Sequence, residues 1–472
     1  MNTMLVQDIL DATGARRVHG DPRAPIRGIS TDTRVLKPRE LFLALSGPNF
    51  DGNRFAEDAR RAGAGALLLE ARPGQPLAEL PLDVPVALHE APRRALADLA
   101  SWHRSRLSAR VVGITGSCGK TTTKSILAQL LAPQLETVAS PNSFNNDIGV
   151  PHTVLLASET TRALVVEIGT NAPGEIAALS RIARPHVGII TNIGHAHLAG
   201  LGSVEGVLRE KSELFAALPR EGTAILNLDC RFARELRAST RARVITYSVE
   251  GGGDGDADGV GDYNAERPWF HAAGTTFRLR GHEITSPLLG VHNISNLLAA
   301  IAACEAVGLP LEKLLPSISR LSGGRRRMER LELGDVVVFD DTYNANPDSA
   351  RAGIRVLAGL HGHRRRVVIL GDMLELGPRA PELHHAMGRA AAEAGIDQLL
   401  LVGELSRAAA AGALEAGMPR ARVRHLGARE AALAEVGEWI HPGDVVLVKG
   451  SNAMGMDQVV RRLSELFTVP VG

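Results

Sequence analysis

Residues 111–124 read VVGITGSCGKTTTK, an apolar run that leads into a glycine-rich turn and the triplet Gly-Lys-Thr. The stretch that follows, SILAQLLA at 125–132, spaces its large apolar side chains three and four residues apart, which is typical of an amphipathic helix. An order of strand, glycine-rich turn and helix is the setting of a phosphate-binding P-loop, where backbone N–H groups and the helix N-terminus attract an anion. The segment therefore predicts a nucleotide site inside an α/β domain.

The residues of this turn have separate expected roles. Lys120 adds a full positive charge, worth ~4 kcal/mol per unit charge at ~4 Å with an effective dielectric of ~20, and the Thr121 hydroxyl can ligate Mg²⁺. Ile114 stands where the ordinary pattern has glycine, so the turn is a variant P-loop rather than a chance glycine-rich turn. The residues expected to hold ATP here are Thr115, Gly116, Ser117, Cys118, Gly119, Lys120 and Thr121.

Outward from the turn, short apolar runs alternate with helix-length stretches, which predicts an α/β domain around a mostly parallel sheet. The expected strands are ARVVGI at 109–114, RALVVEIG at 162–169, HVGIITNIG at 186–194 and GTAILNL at 222–228. We assign residues 109–322 to this central domain. Its segment GGGDGDADGVGD at 251–262 begins like a calcium loop, but Ala265 occupies the position that needs a glutamate, so we expect a solvated loop.

A second alternation begins near Leu331 and predicts a Rossmann-like C-terminal domain at 323–472 that lacks a dinucleotide-binding glycine fingerprint. Its expected strands are DVVVFDD at 335–341, RRVVILGDM at 365–373, QLLLVGE at 398–404 and DVVLVKGS at 444–451. Residues 1–108 have weaker strand patterns and end in the expected helix APRRALADLASWHRSR. We expect a small α/β domain there, which gives three domains in all.

The overall composition argues against several classes of protein. The 472 residues contain 53 Lys and Arg against 52 Asp and Glu, a net charge of +1, so no global field favours nucleic acid or a membrane surface. Three scattered cysteines, Cys118, Cys230 and Cys304, fit neither a disulfide framework nor a zinc site and favour the reducing cytoplasm. Neither an export signal nor a run of ~20 apolar residues is present, so stable membrane insertion is not expected. We expect a monomer.

Further segments resemble the Mur ligase superfamily over nearly the whole chain. They are TGSCGKTTTK at 115–124, SFNNDIGVPHTVL at 143–155, VVEIGTNAPGEI at 165–176, TNIGHAHLAGLGS at 191–203, REKSELF at 209–215 and GVHNISNLLAAIAA at 290–303. Members of this superfamily phosphorylate a carboxylate with ATP and then let an amine displace the phosphate. The resemblance implies an ATP-dependent ligase that forms a C–N bond and releases ADP and phosphate.

Two segments in the third domain resemble the branch of the superfamily that adds D-alanyl-D-alanine. They are FDDTYNANPDSA at 339–350 and LGDMLELG at 370–377, whereas the Asp-Asn-Pro-Arg motif of the diamino-acid-adding branch is absent from the chain. The implied substrates are UDP-N-acetylmuramoyl-tripeptide and D-alanyl-D-alanine. The implied process is peptidoglycan precursor synthesis, on which cell shape and cell division depend.

The resemblance also implies a site for two Mg²⁺ ions. Their ligands would be Thr121, Glu167, His197 and Lys211, the last carbamylated by CO₂ to give a carboxylate-like group. Each residue has an ordinary alternative: a glutamate at a strand end is usually solvated, a lone histidine is usually packed or exposed, and a helix lysine is usually a surface charge. Burial beside other cations would favour the neutral amine that reacts with CO₂.

Four residues outside the P-loop are implied to contact ATP. Asn293 and Asn296 share a helix face and have amide groups suited to adenine, and capping of that helix is the alternative role of Asn293. Arg327 resembles the γ-phosphate-binding arginine, with its register left open by the run Arg325–Arg327. Asp341 resembles a ribose-binding carboxylate, and its alternative is an ordinary strand-end cap.

The remaining site predictions concern the two other substrates. The segment 29–55, ISTDTRVLKPRELFLALSGPNFDGNRF, resembles the uridine-binding segment of the family, with Arg34 suited to a diphosphate, or else forming a surface pair with an aspartate. The residues predicted to bind the muramoyl substrate or the dipeptide are Thr31, Asp32, Arg34, Asn142, Asn145, Asn146, Tyr343, Asn344 and Asn346. Asn53 replaces a histidine and Asn452 an arginine that are common in the family.

The sequence leaves two alternative functions open. The first is a sibling Mur-type or folylpolyglutamate-type amide ligase, which would use another amine. The second is a P-loop module that binds nucleotide without ligating anything. The residues do not indicate whether the tripeptide ends in diaminopimelate or lysine, or which group deprotonates the incoming amine.

Overall fold

The computed structural model describes residues 3–47, 50–72, 83–250, 261–271, 274–360 and 362–468. Most of the expected solvated loop, and residues 48–49 of the uridine-like segment, lie outside these ranges. Within the described residues the chain forms three α/β domains in succession. No helix in that part of the chain is long and apolar enough to cross a membrane.

The first domain is built around a mixed sheet with the strand order β2-β9-β8-β5-β4. In this sheet β2 and β9 pair antiparallel, and the other described pairs are parallel. Its elements are β1 (Met4–Leu5), α1 (Val6–Thr13), β2 (Arg16–His19), β3 (Pro25–Ile26), β4 (Gly28–Ser30), β5 (Glu40–Leu43), β6 (Ser46–Gly47), β7 (Phe50–Asp51), α2 (Ala56–Arg61), β8 (Ala66–Glu70), β9 (Val86–His89) and α3 (Pro92–Ser105). Helix α3 confirms the helix expected at 91–106. Its buried Arg104 donates to the backbone oxygens of Ala183 and Arg184, which attaches this domain to the next.

The central domain has the expected parallel sheet, in the order β11-β12-β10-β13-β14-β15-β16. Its elements are β10 (Arg110–Thr115), α4 (Lys120–Leu131), β11 (Thr137–Ala139), α5 (Gly149–Leu156), β12 (Ala163–Glu167), α6 (Glu175–Ala183), β13 (Val187–Ile190), α7 (Leu198–Leu201), α8 (Val204–Ala216), β14 (Thr223–Asn227), α9 (Ala233–Ala238), β15 (Arg243–Ser248), β16 (Tyr263–Asn264), β17 (Glu266–His271), β18 (Gly274–Leu279), β19 (His282–Ser286), α10 (Val291–Ala306) and α11 (Leu311–Ile318). The apolar face of α4 is fully buried, with Ile126 and Leu130 packed in the same core as residues of α10. Strands β17–β19 form a separate antiparallel sheet that the sequence did not predict.

The C-terminal domain has the strand order β20-β21-β25-β22-β23-β24, parallel except for the β20–β21 hairpin. Its elements are β20 (Glu329–Leu333), β21 (Val336–Asp341), α12 (Pro347–Ala358), β22 (Arg365–Gly371), α13 (Ala380–Glu393), β23 (Gln398–Val402), α14 (Arg407–Glu415), β24 (Val423–Leu426), α15 (Arg429–Trp439), β25 (Asp444–Lys449) and α16 (Asp457–Phe467). The four strands predicted here are confirmed as β21, β22, β23 and β25. The expected breaks after residues 108 and 322 lie between the sheets, and as exact boundaries they stay predictions.

The two larger sheets present the carboxyl ends of their strands to each other. Parallel strands place all their carboxyl ends at one edge, which is where α/β domains bind ligands. The loops that follow β10, β12 and β13 therefore face those that follow β21, β22 and β25 across a shared space. That space is a cavity of about 660 Å³.

Candidate active site

The cavity between the central and C-terminal domains collects most of the predicted site residues. Those that line it are Ser117, Cys118, Gly119, Lys120, Thr121, Asn145, Asn146, Glu167, His197, Asn293, Asn296, Arg327, Asp341, Tyr343, Asn344 and Asn346. The predicted residues Thr115, Gly116, Asn142 and Lys211 are not among the lining residues. The predicted uridine site in the first domain does not contribute to it.

The phosphate loop is shaped by two glycines. Gly116 has φ of 149° and Gly119 has φ of 83°, and a Cβ at either position would overlap the side chain of Thr191 or Asn296, respectively. Only glycine meets both the backbone and the space requirement. Lys120 folds back over the loop, and its Nζ donates to the Gly116 oxygen at 2.7 Å.

Asn192, which the sequence reasoning missed, holds one side of this loop. The backbone N–H of Ser117 donates to its carbonyl oxygen at 3.0 Å, and that of Cys118 donates to its Oδ1 at 2.9 Å. These two N–H groups therefore point to Asn192, and phosphate binding by the rest of the loop stays a prediction. The available signal was its position, two residues after the end of a buried parallel strand, β13.

Glu167 ends β12 directly beside the loop, with its side chain only 1% exposed. Its Oε1 accepts hydrogen bonds from Thr121 Oγ1 at 3.0 Å and from Asn145 Nδ2 at 2.9 Å. Its Oε2 is buried and accepts no hydrogen bond from the described residues, although Lys124 Nζ lies 3.2 Å away. Asn145 thus orients Glu167. Lys124, like Asn192, is a neighbour of the site that the sequence reasoning missed.

The chemistry of this set fits one of the implied Mg²⁺ ions. Mg²⁺ prefers oxygen ligands and keeps several waters, so one carboxylate with a neighbouring hydroxyl is a sufficient protein contribution. Glu167 Oε2 is a buried oxygen without a hydrogen-bond donor, and the Thr121 hydroxyl is bonded to the same carboxylate. In the described part of the chain no three or more His, Cys, Asp and Glu residues form a metal cluster.

The residues implied for a second ion lie close to Lys120. His197 follows β13 with φ of 55°, and burial, followed by the charge of Lys120, lowers the pKa of its imidazole to about 4. The ring is therefore neutral at pH 7, the form that binds metal. Its Nδ1 lies 3.6 Å from Glu375 Oε2, which belongs to the C-terminal domain.

Lys211 on α8 is fully buried, and its Nζ has no hydrogen-bond partner within the described ranges. Burial, and next the charge of Lys120, bring its pKa well below the usual value. The adjacent Glu210 does not neutralise it by direct contact, because that carboxylate accepts from the backbone N–H groups of Gly174 and Ile176. An unpaired, neutral amine is the reactive form for CO₂, so the environment fits the implied carbamylation.

Across the cavity, Arg327 reaches the phosphate loop. Its Nη2 donates to Thr121 Oγ1 at 2.9 Å, and its guanidinium carbon lies 4.0 Å from the centre of the Tyr343 ring. The Tyr343 hydroxyl in turn bonds Ser143 of the central domain. The neighbouring Arg326 turns the other way, to Thr342 and to Asp457, so the structure resolves which arginine of the run faces the loop.

Asn293 and Asn296 are buried on α10, and both carboxamides have partners inside the protein. Asn293 Nδ2 donates to the Leu289 oxygen at 2.9 Å, and Asn296 Nδ2 donates to Asn293 Oδ1 at 3.3 Å. Asn296 Oδ1 accepts from Thr123 Oγ1 on α4 at 3.2 Å. The Thr123–Asn296 bond links α10 to the phosphate-loop helix, and contact with adenine stays a prediction.

Asp341 and the segment that follows it are held by Lys449, which lies at the end of β25. Asp341 Oδ2 is 2.6 Å from Lys449 Nζ, and that ammonium also donates to the backbone oxygen of Asn344 at 3.0 Å. Asp341 Oδ1 accepts from the backbone N–H of Met328. One buried lysine thus positions both the predicted ribose carboxylate and the predicted dipeptide segment.

Asn346 is the N-cap of α12, and its Oδ1 accepts from the Ser349 backbone N–H at 2.9 Å. The same oxygen accepts from the Cys118 thiol at 3.1 Å, which connects the phosphate loop to the C-terminal domain. Burial raises the pKa of Cys118, so the group is a thiol rather than a nucleophilic thiolate. Cys118 therefore acts here as a small contact residue.

Asn146, in the segment SFNN at 143–146, and Asn142, just before it, also have structural partners. Asn146 Oδ1 accepts from the backbone N–H groups of Ile148 and Gly149 at the start of α5. Asn142 has φ of 44° and directs its backbone oxygen to Lys124. The predicted contacts of Asn142 and Asn146 with the muramoyl substrate stay predictions.

In the first domain, Arg34 and Asp32 form a bidentate pair at the surface, with the arginine side chain 86% exposed. Thr31 is half-buried beside them. Asn53, which replaces a family histidine, exchanges two hydrogen bonds with the backbone of Glu70. The asparagine thus has a structural role in this chain, and uridine binding by the segment stays a prediction.

Several non-glycine residues around the cavity adopt left-handed backbone conformations, which are uncommon and costly for such residues and cluster at functional sites. They are Asn142 (φ 44°), His197 (φ 55°), Arg326 (φ 60°), Met328 (φ 53°) and Glu375 (φ 63°). Their concentration at one interface indicates that the surrounding packing enforces the geometry of this site.

Comparison with known proteins assigns this arrangement to a family. Three family models match the chain one after another. The model described as "Mur ligase family, catalytic domain" matches residues 25–104, "Mur ligase middle domain" matches 114–304, and "Mur ligase, glutamate ligase domain" matches 326–452. A UDP-N-acetylmuramoyl-tripeptide--D-alanyl-D-alanine ligase of Escherichia coli (strain K12) is 36% identical over 446 residues, which cover 93% of each chain.

Solved structures agree with the sequence comparison. A MurF structure from Acinetobacter baumannii superposes with a TM-score of 0.87 and 29% identity, covering 98% of this chain and 99% of that one. A MurF ligase from Thermotoga maritima in complex with ADP has the same fold, with a TM-score of 0.80 at 24% identity over 93% of this chain and 98% of that one. The chain therefore belongs to the Mur ligase family.

Proposed function

We propose that the chain is an ATP-dependent ligase that joins D-alanyl-D-alanine to UDP-N-acetylmuramoyl-tripeptide through an acyl phosphate, in the synthesis of peptidoglycan precursors. The observation that supports this most directly is the contact between Arg327 and Thr121, which brings a cation of the C-terminal domain onto the phosphate loop. The relative in Escherichia coli, which matches over 93% of its length, is named for the same reaction. ATP and a UDP-linked substrate favour a cytoplasmic location.

The first step transfers the γ-phosphoryl group of ATP to the terminal carboxylate of the tripeptide. Two anions must approach each other, so the site has to supply positive charge at fixed positions. Lys120 and Arg327 provide it from opposite sides of the cavity. Bound Mg²⁺ would add charge neutralisation for the phosphates, one ion held by Thr121 and Glu167 and a second by His197 and carbamylated Lys211.

ATP itself would lie along the carboxyl edges of both sheets. The adenine is assigned to the buried Asn296 and Asn293 on α10, which lie next to the phosphate-loop helix. The ribose is assigned to Asp341, whose carboxylate Lys449 holds in place. These assignments put the γ-phosphate between Lys120 and Arg327, where the acyl phosphate has to form.

In the second step the amine of D-alanyl-D-alanine attacks the acyl carbon, a C–N bond forms, and phosphate leaves. Tyr343, Asn344 and Asn346 are assigned to the dipeptide because they present uncharged polar groups on the segment that faces the phosphate loop. The contacts Arg327–Thr121 and Tyr343–Ser143 span the two domains. They would keep the domains closed and exclude water that hydrolyses an acyl phosphate.

The test is phosphate release from ATP with UDP-N-acetylmuramoyl-tripeptide and D-alanyl-D-alanine, each omitted in turn, with the product identified by mass. Release that requires both and adds the dipeptide supports the proposal. Release with another amino acid would assign the chain to a sibling amide ligase, and release without any amine would favour the nucleotide-binding module. Parallel reactions with tripeptides that end in diaminopimelate or lysine identify the natural acceptor.

A further inference from the structure

Helix α4 contains two lysines one turn apart, Lys120 and Lys124. Like charges at this spacing face the same side of a helix and repel each other, so an anion nearby is expected to compensate them. Lys124 is not at the surface, where solvent would screen the repulsion. Its side chain is 6% exposed and its Nζ lies 3.2 Å from Glu167 Oε2, on a glutamate side chain that is 1% exposed.

Lys124 is fixed at this position by a second contact. Its ammonium also donates to the backbone oxygen of Asn142, in the left-handed turn that precedes Ser143. The lysine therefore joins the phosphate-loop helix to the carboxylate at the end of β12. Neither Asn145 nor Thr121, the other neighbours of that carboxylate, carries a charge.

Three cations lie close enough to Glu167 to act on its charge, and Asp341 offsets only one of them, Arg327. Besides Lys124, the charges of Lys120 and Arg327 act on it, and Arg327 is bonded to the same Thr121 hydroxyl that donates to Glu167. One carboxylate thus faces three fixed cations in a water-poor site. A bare divalent cation approaching Glu167 would be repelled by all three at distances where screening is weak.

We propose that Lys124 is the internal counter-ion of Glu167 and makes divalent-metal binding at Glu167 dependent on bound nucleotide. A nucleoside triphosphate with about four negative charges reverses the balance, because its phosphates compensate Lys120 and Arg327 and bring their own share of the metal's ligands. Lys124 is then a positioning residue, which keeps Glu167 oriented and prevents it from capturing metal before the nucleotide arrives. The inference rests on the proposed function in taking Glu167 as a metal ligand.

The experiment measures Mn²⁺ binding by electron paramagnetic resonance to the full-length, nucleotide-free protein. The variants are Lys124→Met, which removes the charge and keeps most of the apolar stem, and Lys313→Met, which removes an exposed lysine of α11 as a matched control. We expect Lys124→Met to bind one Mn²⁺ at least ~10-fold more tightly than the wild type and the Lys313→Met control to match the wild type. The double variant Lys124→Met/Glu167→Gln should lose the gained affinity.

A merely structural lysine would give a different result, because its loss would change the melting temperature and leave the Mn²⁺ affinity of the folded protein unchanged. Equal Mn²⁺ affinities in wild type and folded Lys124→Met would overturn the inference. If that variant does not fold, the wild type alone decides. If the wild type binds Mn²⁺ as tightly without nucleotide as with the β,γ-methylene analogue of ATP, the inference is overturned. If Mn²⁺ binding requires the analogue, the inference is supported.

The same titration separates this inference from the proposed function. Wild-type protein that binds neither the analogue nor Mn²⁺ together with it would contradict the nucleotide site itself. Wild-type protein that binds both together, while Lys124→Met shows no gain for free Mn²⁺, would leave the ligase proposal intact and reject only the role of Lys124.

Discussion

Arg327 Nη2 lies 2.9 Å from the Thr121 hydroxyl, although 206 residues separate the two in the chain. Thr121 is the second residue of the phosphate-loop helix, and Arg327 precedes the first strand of the C-terminal domain. In the proposed function, the C-terminal domain therefore completes the phosphate site rather than only adjoining it. A nucleotide bound to the central domain alone would lack one of its cations.

Replacing Arg327 with lysine should therefore reduce kcat far more than it raises KM for ATP. Lysine keeps a charge but loses the planar fork and the stacking on Tyr343. Arginines that stabilise a transferring phosphoryl group contribute about 10³–10⁵ in kcat, so we expect a loss of at least ~100-fold. Steady-state phosphate release measures it, and Arg325→Lys, at an exposed neighbouring position, is the control. Equal losses in both variants would contradict the assignment of Arg327.

Two substitutions of Tyr343 should separate the effect of its ring on catalysis from the effect of its hydroxyl. Tyr343→Phe keeps the ring under Arg327 and removes the bond to Ser143, which is worth about 0.5–1.5 kcal/mol, or roughly 2- to 10-fold. We expect that loss mainly in KM for D-alanyl-D-alanine. Tyr343→Ala should also lower kcat, because Arg327 loses its support. Kinetics with the dipeptide varied at saturating ATP distinguish the two variants, and an unchanged kcat in Tyr343→Ala would show that the ring does not position Arg327.

The local elements of the site were predictable from the sequence because each depends on residues close in the chain. The phosphate loop, helix α4 and the strand that ends at Glu167 follow from apolar spacing and glycine positions. The contacts between domains were not predictable, because nothing local determines that Arg327 rather than Arg326 turns toward Thr121. That choice depends on the left-handed backbone at Arg326 and on Asp457, more than 100 residues further along the chain.

The burial of Lys124 beside an anion could have been predicted from the sequence. Two lysines one turn apart at the start of an apolar helix imply a buried anion, and Glu167 was already a candidate. The antiparallel sheet β17–β19 is a different case. Its edge strand β17 is exposed along most of its length, so it lacks the alternation of apolar and polar residues by which a half-buried strand is recognised.

Lys211 should carry CO₂ when the protein is active. Its amine is fully buried, lacks a partner in the described ranges and has a pKa well below the usual value, which favours the neutral, nucleophilic form. We expect a carbamate resonance in ¹³C NMR after equilibration with ¹³C-bicarbonate, absent from Lys211→Arg. Loss of a metal ligand removes several kcal/mol of charge stabilisation, so Lys211→Arg should lose more than ~100-fold in kcat. A wild-type spectrum without the resonance, recorded on fully active protein, would contradict the modification.

The histidines of the cavity should make the protein less stable in mild acid. Burial lowers the pKa of His292 from its usual 6.5 to about 4, with the charge of Asp341 only partly opposing the shift. The unfolded chain binds a proton on His292 below pH 6.5, whereas the folded protein binds it only near pH 4. The free energy of unfolding that depends on neutral His292 is therefore fully present above pH 6.5 and is lost as the pH falls from 6.5 to about 4. Between pH 7.5 and 5 the loss is at most about 2 kcal/mol for this residue.

Urea unfolding of the wild type at pH 7.5 and pH 5 measures this loss, with His292→Gln as the test variant and His19→Gln, at an exposed strand position, as the control. The loss should shrink by up to about 2 kcal/mol in His292→Gln and stay unchanged in His19→Gln. His197, whose pKa is also lowered to about 4, keeps part of the pH dependence in every variant. If wild type and His292→Gln lose the same free energy of unfolding, the folded protein accepts a proton on His292, and the cavity is then more polar around α10 than its packing indicates.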